Sequence, residues 1–201
     1  ELPIAFLDGP AGSQVPTPVI DAIAGYYREA NANTHGQFAT SRRSDELLHL
    51  VREKAAAFLG APDWRTISFG ANMTTLTFAL AHAVARECSP GDEIVITQLD
   101  HEANRGPWLG LVERGLVIRE VALRPDGTLD ADSLAAEIGP RTRLVAMGLA
   151  SNALGTVNDV ALARELTRAV GAWLLLDAVH YAPHFAVDVA ALDADFLLCS
   201  A

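Results

Sequence analysis

An acidic residue follows directly on an apolar strand late in the chain, and a histidine lies just beyond it. The predicted strand Trp173–Leu176 leads into Asp177, and His180 belongs to the same turn. Burying an ionised carboxylate is costly unless a cationic group pairs with it. Asp177 could therefore hold a protonated nitrogen of a bound ligand, or it could cap the turn that follows. His180 could face the same crevice.

Two more strand ends carry polar side chains that could do chemistry. His101 follows the predicted strand Glu93–Thr97, and Asn152 follows the predicted strand Leu144–Leu149. The histidine could lie flat against an aromatic ring or transfer a proton, and the asparagine could direct its amide towards a ligand. Both residue types are also common in solvated loops and turns. Their spacing gives no typical pair of metal ligands, so we expect no metal site.

A turn of small and polar residues, Gly70–Thr75, joins the predicted strand Thr66–Phe69 to the predicted helix Thr74–Glu87. The free amides at a helix start and the positive end of the helix dipole can bind a phosphate. Asn and Thr are equally usual caps of helices that bind nothing. The chain lacks GxGxxG and GxxxxGK[ST] patterns, which argues against a dinucleotide site and a P-loop.

The elements that must position these residues alternate between strands and helices. Apolar runs and helical spacing predict further strands at Val117–Val121 and Ala194–Cys199. The predicted helices, besides Thr74–Glu87, are Pro18–Ala30, Ser44–Leu59, Pro107–Arg114, Ala131–Ile138 and Val160–Val170. This alternation predicts an α/β fold, a three-layer α/β/α domain with a mostly parallel sheet. Ligands of such sheets bind outside the carboxyl ends of the strands, where the polar residues above lie.

Composition excludes several classes of protein. The chain has 201 residues, of which 50% are hydrophobic, and a formal net charge of −10. This charge, without any basic run, argues against a nucleic-acid partner. No apolar run approaches the roughly 18 residues of a membrane span, and no signal peptide is apparent. Cys88 and Cys199 form no CxxC pair, which fits a reducing compartment, so we expect a cytoplasmic protein.

Taken together, these segments resemble the class V aminotransferase and cysteine desulfurase-like family of fold-type I pyridoxal-phosphate (PLP) enzymes. They occur in the order and at the spacing of that family across nearly the whole chain. Each motif is weak alone, but the ordered set is specific. The segments are Phe6–Gly12, Gly70–Thr75, Leu99–Asn104 with Pro107-Trp108, Ser151–Thr156, Asp177–His180 and Asp193–Ser200.

The resemblance implies a set of contacts to the PLP ring. His101 would stack on the pyridine ring, and Asn152 would bond its phenolic oxygen. Asp177 would hold the ring nitrogen protonated, so that PLP can act as an electron sink. His180 would lie beside the phenolic oxygen or the substrate carboxylate. By this resemblance His101, Asp177 and His180 are the catalytic candidates.

The resemblance also implies a phosphate site. The sequence departs from the family pattern in three respects. The amide of Met73 and the side chain of Thr74 would hold the phosphate, and Ser200 would complete the site. His180 stands where desulfurases usually have Gln, which puts the substrate and the proton chemistry in doubt. The Schiff-base lysine and the nucleophilic cysteine of desulfurases are both expected beyond residue 201. The one lysine of the chain, Lys54, lies in an early helix and cannot replace the first of them.

We therefore expect residues 1–201 to be the PLP-binding large domain, incomplete here, of an enzyme that acts on an amino acid. Carbon–sulfur lyase chemistry of the cysteine desulfurase kind is the first expectation. The alternatives are an aminotransferase, an epimerase, a kynureninase-like hydrolase, or a catalytically silent PLP-fold binding protein. The family also implies a homodimer. The loop Asn31–Ser41, with His35, could border the active site of either subunit or be a plain surface loop.

Overall fold

The computed structural model describes residues 5, 7, 9 and 12–200. Four residues of the family segment Phe6–Gly12, namely Phe6, Asp8, Pro10 and Ala11, lie outside the described residues. The helices are α1 (Thr17–Glu29), α2 (Ala39–Leu59), α3 (Met73–Glu87), α4 (Gly106–Leu109), α5 (Ala131–Glu137), α6 (Ala161–Val170) and α7 (Val189–Leu192). The strands are β1 (Glu93–Thr97), β2 (Val117–Val121), β3 (Thr142–Gly148), β4 (Trp173–Asp177) and β5 (Phe196–Leu198).

The five strands form one sheet in the order β2-β1-β3-β4-β5. Each neighbouring pair is parallel, which confirms the predicted sheet type. After β2 the chain passes β1 and adds β3 on its other side. The direction of winding therefore reverses between β1 and β3. In open α/β sheets such a reversal creates a crevice at the carboxyl ends, where ligands bind.

Two apolar clusters cover the two faces of the sheet, because neighbouring residues of a strand point to opposite sides. One cluster joins Val95, Val145 and Leu176 to residues of α5 and α6. The other joins Ile94 and Leu175 to residues of α3 and α4. The chain therefore has a helical layer on each face of the sheet, and the predicted three-layer α/β/α fold is confirmed.

Helix α3 begins at the edge of the sheet where the strands end. Its residues Ala81 and Val84 pack on Ile94 and Ile96 of β1. Only a short turn separates Glu87 at the end of α3 from β1, so the helix runs antiparallel to the strand. The N-terminus of α3 therefore lies towards the carboxyl edge of the sheet.

The predicted strand Thr66–Phe69 is wrong. Residues Trp64–Thr66 form a 3-10 turn instead, and residues 67–70 have no regular secondary structure. The cause is local, because the Asp63 side chain accepts a hydrogen bond from Arg65 N at 2.9 Å and caps the turn. That cap sets the backbone of Trp64–Thr66 before a strand can begin.

Two predicted helices differ from the observed ones by more than one residue at an end, and the other four agree to within one residue. α2 begins at Ala39 rather than Ser44, because Ser41 Oγ accepts from Gly36 N at 2.7 Å and supports an earlier start. The predicted helix Pro107–Arg114 is the short α4 followed by a 3-10 segment, Gly110–Arg114. Neither difference moves a candidate site residue.

The chain separates into two compact units, Glu1–Phe58 with Pro62–Ser68, and Leu59–Ala61 with Phe69–Ala201. In the first unit, α1 and α2 are joined by Tyr26 and Ser44, whose hydroxyl oxygens lie 3.0 Å apart. His35 adopts a positive φ of 65° there, and its amide donates to Asp45 Oδ2 at 3.0 Å. The second unit contains the sheet. Among the described residues, no helix combines the length and the apolar character needed to cross a bilayer.

Candidate active site

Asp177 is the last residue of β4 and lies almost fully inside the protein. Its exposed fraction is 9%, and burial raises the pKa of its carboxyl above the ordinary value. Oδ1 accepts a hydrogen bond from Val179 N at 2.9 Å, so the predicted turn cap is confirmed. His180 and His101 act in the opposite direction and lower this pKa through their charge. Both histidines are therefore close enough to Asp177 to interact electrostatically with it.

His101 is exposed and is held by its own backbone. Its Nδ1 accepts a hydrogen bond from Ala103 N at 3.1 Å, at the start of the 3-10 turn Glu102–Asn104. A ring nitrogen that accepts carries no hydrogen, so in the neutral imidazole the proton is on Nε2. The loop after β1 thus presents a histidine of defined tautomer at the carboxyl edge.

Asp100 supplies a second carboxyl at this edge, in a half-buried residue that sequence reasoning did not single out. Thr97 Oγ1 donates to its Oδ2 at 2.7 Å. Burial, and then the charge on Asp177, raise the pKa of Asp100 to about 7. Two carboxyl groups that repel each other in a desolvated setting are a common feature of functional sites. The local sequence shows only an aspartate in a loop. The surroundings of its carboxyl depend on residues distant in sequence, so they cannot be seen there.

The start of α3 has the arrangement expected of a helix cap. Asn72 Oδ1 accepts from both Thr75 N and Thr75 Oγ1, each at 2.9 Å. Met73 is buried and Thr74 is exposed. An α-helix offers no acceptor to its first amides, so those of Met73 and Thr74 remain available to a ligand. The plain-cap interpretation is confirmed, and the phosphate interpretation stays a prediction.

Asn152 and Ser200 lie in the loops that follow β3 and β5. Asn152 is half-buried, in a turn where Ser151 Oγ accepts from Ala153 N at 3.2 Å. Ser200 is exposed. Burial, and then the charge on the nearby Asp177, raise the pKa of the neighbouring Cys199 thiol.

The structure brings some of the predicted residues together and not others. His101 and His180 each interact with Asp177 through charge. For Met73, Thr74, Asn152 and Ser200, the described contacts give a place at the carboxyl edge but no bond to Asp177. Across the part of the chain that the structure describes, no three His, Cys, Asp or Glu side chains cluster as metal ligands would.

The family model of aminotransferase class-V matches residues 5–201. The chain belongs to this family. Among curated class V relatives, a cysteine desulfurase from Serratia proteamaculans (strain 568) is 40% identical over 201 residues, which cover 98% of this chain and 50% of the relative. One from Salmonella newport (strain SL254) is 39% identical, over 99% of this chain and 50% of the relative. The chain thus spans about half the length of these relatives.

Solved structures of cysteine desulfurases agree with the fold. The apo structure of a cysteine desulfurase from Thermococcus onnurineus NA1 is 31% identical with a TM-score of 0.87, covering 96% of this chain and 48% of that one. The cysteine desulfurase CsdA from Escherichia coli is 32% identical with a TM-score of 0.83, covering 95% and 49%. The predicted resemblance to the class V and cysteine desulfurase-like family is therefore confirmed.

The residues of the carboxyl edge fit the cofactor of the class V family, which is PLP-dependent. Burial raises the pKa of the Asp177 carboxyl, so a cationic partner would stabilise its ionised form. A protonated pyridine nitrogen is such a partner. The free amides at the start of α3 suit a phosphate group. One edge of the sheet thus offers a carboxylate for the ring nitrogen and backbone amides for the phosphate.

Proposed function

We propose that this protein binds PLP at the carboxyl edge of its sheet and acts on an amino acid, first of all as a cysteine desulfurase-like carbon–sulfur lyase. The observation that carries the proposal is Asp177, a buried carboxyl at a strand end with two histidines close to it. The relatives named cysteine desulfurase support the reaction class. When bound, PLP supplies an electron sink for negative charge at the α-carbon of an amino acid.

Asp177 would keep a proton on the ring nitrogen. Its burial penalises a lone charge, so the ionised form gains most when a cation is beside it. Oδ1 already accepts from Val179 N, which fixes the orientation of the carboxyl plane. Asp177 can therefore bind the protonated ring nitrogen without a rearrangement of the residues around it.

His101 and His180 would serve the ring and the substrate. Because Ala103 N occupies Nδ1 of His101, its Nε2 is the atom that can donate or hold a proton. His101 would stack on the ring, and Asn152 would lie at the phenolic oxygen. His180 would lie there or beside the substrate carboxylate. The amide of Met73, with Thr74 and Ser200, would bind the phosphate. These roles come from the family resemblance and fit the strand-end positions.

A binding experiment tests the cofactor site apart from catalysis. Pyridoxine 5′-phosphate is a suitable probe, because it has no aldehyde to react with Lys54 or the N-terminus. We expect Asp177→Asn to weaken its binding about tenfold or more, as expected when a charged hydrogen bond is lost. Asp21→Asn, on the exposed side of α1, is the matched control. Equal affinities of wild type and Asp177→Asn would remove Asp177 from the site.

An activity experiment tests the reaction. Sulfide and alanine released from cysteine should be measured in the PLP-loaded full-length protein, next to a panel of other amino acids. We expect cysteine to be the preferred substrate and Asp177→Asn to lower the rate by about a hundredfold. Transamination or α-epimerisation of another amino acid, without sulfide release, would replace the desulfurase proposal with one of its alternatives.

A homodimer is the assembly that we propose. Val19, Ile20, Ile23 and Tyr27 follow one another at helical spacing on α1, and all four are largely exposed. Such an apolar face is typical of a protein–protein interface. Light scattering should give a dimer mass, and replacing Ile20 and Ile23 together by Asp should reduce it to that of a monomer. Two free cysteines support a cytoplasmic location.

A further inference from the structure

The carboxyl group of Asp100 organises the turn that leads from β1 to His101. Thr97 is the last residue of β1, and its Oγ1 donates to Asp100 Oδ2 at 2.7 Å. The same hydroxyl oxygen accepts from Leu99 N at 3.2 Å. These two bonds fold the end of the strand into a tight turn. That turn sets the position of His101, the next residue.

The other oxygen of Asp100 lies against β3. A Cβ atom on Gly148 would be 2.8 Å from Asp100 Oδ1, which is closer than real atoms approach. The amide of Gly148 also lies close enough to this carboxyl to favour its ionised form. Gly148 does not have a positive φ. The close approach to Asp100, rather than the backbone conformation, therefore requires a residue without a side chain here.

Asp100 thus connects two strand ends that are adjacent in the sheet but distant in sequence. Thr97 ends β1 and Gly148 ends β3, and the sheet reverses its winding between these strands. Gly148 is in turn the sheet partner of Asp177 on β4. A single side chain therefore links the His101 loop to the strand that lies beside Asp177.

The amide of Asn104 lies near Asp100 and has groups suited to both of its protonation states. Asn104 is fully buried, and its Oδ1 and Nδ2 make no hydrogen bond of normal geometry within the described residues. It is nevertheless near enough to favour the ionised form of Asp100. A carboxamide donates to a carboxylate and accepts from a neutral acid. The loop that carries His101 can therefore stay in place when Asp100 gains or loses a proton.

We propose that Asp100 is a positioning residue that fastens the His101 loop to the end of β3 and so fixes the imidazole of His101 beside Asp177. The inference rests on the proposed function, in which His101 and Asp177 both contact the ring of PLP. Asp100 itself touches neither the ring nor the substrate in this scheme. Its effect reaches them through the placement of His101.

The test compares four variants by two readouts. The variants are Asp100→Ala, Asp100→Asn, Gly148→Ala and the double variant of Asp100→Ala with Gly148→Ala. The first readout is the NMR resonances of the His101 imidazole without ligand, which report its tautomer and surroundings. The second is the affinity for pyridoxine 5′-phosphate. Gly139→Ala is the matched glycine control, because a Cβ there meets nothing within 4 Å.

We expect Asp100→Ala and Gly148→Ala each to shift the His101 resonances and to weaken binding about tenfold. Asp100→Asn should retain most of both properties, since an amide keeps an acceptor for Gly148 N. The double variant should be no worse than Asp100→Ala alone, because removal of the carboxyl leaves room for the new Cβ. Additive losses in the double variant would contradict the direct contact.

The outcomes separate this inference from the proposed function. Wild-type His101 resonances and affinity in Asp100→Ala would overturn the positioning role. If the wild-type protein does not bind the probe, the proposed function fails, and the His101 resonances still decide the inference. If Asp100→Ala does not fold, Gly148→Ala is compared with Gly139→Ala. A shift of the His101 resonances in Gly148→Ala but not in Gly139→Ala supports the inference, and identical spectra of the two variants overturn it.

Discussion

The raised pKa of Asp100 predicts a specific loss of stability with increasing pH. The folded protein keeps a proton on this carboxyl up to a pKa of about 7, whereas the ordinary value is 3.8. Between these two pH values the folded state binds a proton that the unfolded state has released. The contribution to the free energy of unfolding is therefore fully present below pH 3.8 and is lost as pH rises towards 7.

The size of this loss follows from the two pKa values. At about 1.4 kcal/mol for each pKa unit, the difference corresponds to a change on the order of 4 kcal/mol. Asp100→Asn cannot ionise, so it should lack this part of the pH dependence. Relative to wild type, the variant should gain up to about 4 kcal/mol of stability between pH 4 and pH 8.

Urea unfolding at a series of pH values measures the effect. The fully buried Trp108 should report unfolding through its fluorescence. Subtracting the two pH profiles cancels the titration of groups that wild type and Asp100→Asn share. Asp21→Asn, an exposed substitution of the same chemistry, should give a flat difference profile. A flat profile for Asp100→Asn as well would refute the assignment of a neutral Asp100 below pH 7.

Three further substitutions test what supports the site. Asn72→Ala removes the cap of α3, so it should lower the free energy of unfolding by about 1 kcal/mol and the melting temperature with it. Glu93→Gln should cost about 1 to 3 kcal/mol in urea unfolding, because the buried Glu93 accepts from Arg119 and Arg141 at 3.1 and 3.3 Å. Leu175→Ala, in the fully buried centre of β4, should cost about 2 to 5 kcal/mol by the same measurement.

Exposed residues of the same types provide the controls for these three substitutions. Asn33→Ala, Glu165→Gln and Leu154→Ala should each change stability by less than about 0.5 kcal/mol. A variant of the cap, the glutamate or the leucine that is no less stable than its control would contradict the contact assigned to that residue.

The strands could be predicted where an apolar run is both long enough and free of a competing local motif. Glu93–Thr97 and Val117–Val121 have the same bounds in sequence and structure. At Thr66–Phe69 the apolar run was short, and the Asp63 cap formed a 3-10 turn at its start instead. Short runs are decided by neighbouring side chains, whose capping bonds do not appear in a hydrophobic pattern.

The candidate site could be predicted in part for the same kind of reason. Asp177 stands out because it follows an apolar run directly, and His101 because it is a histidine in the loop after a strand. A parallel sheet collects both positions at one edge. Asp100 does not stand out, because its burial and its contact with Gly148 depend on the pairing of β1 with β3. Long-range pairing of this kind cannot be deduced from the residues on either side of an aspartate in a loop.

Strand β2 forms one edge of the described sheet, and its charged side chains bear on how the protein behaves at high concentration. Arg119 is paired with Glu93, and Glu120 with Arg105. An edge strand offers unpaired backbone groups to other chains, and charges held on it discourage that association. The ion pairs keep these charges in place along β2. The same contacts that connect β2 to its neighbours therefore also discourage edge-to-edge association at this strand.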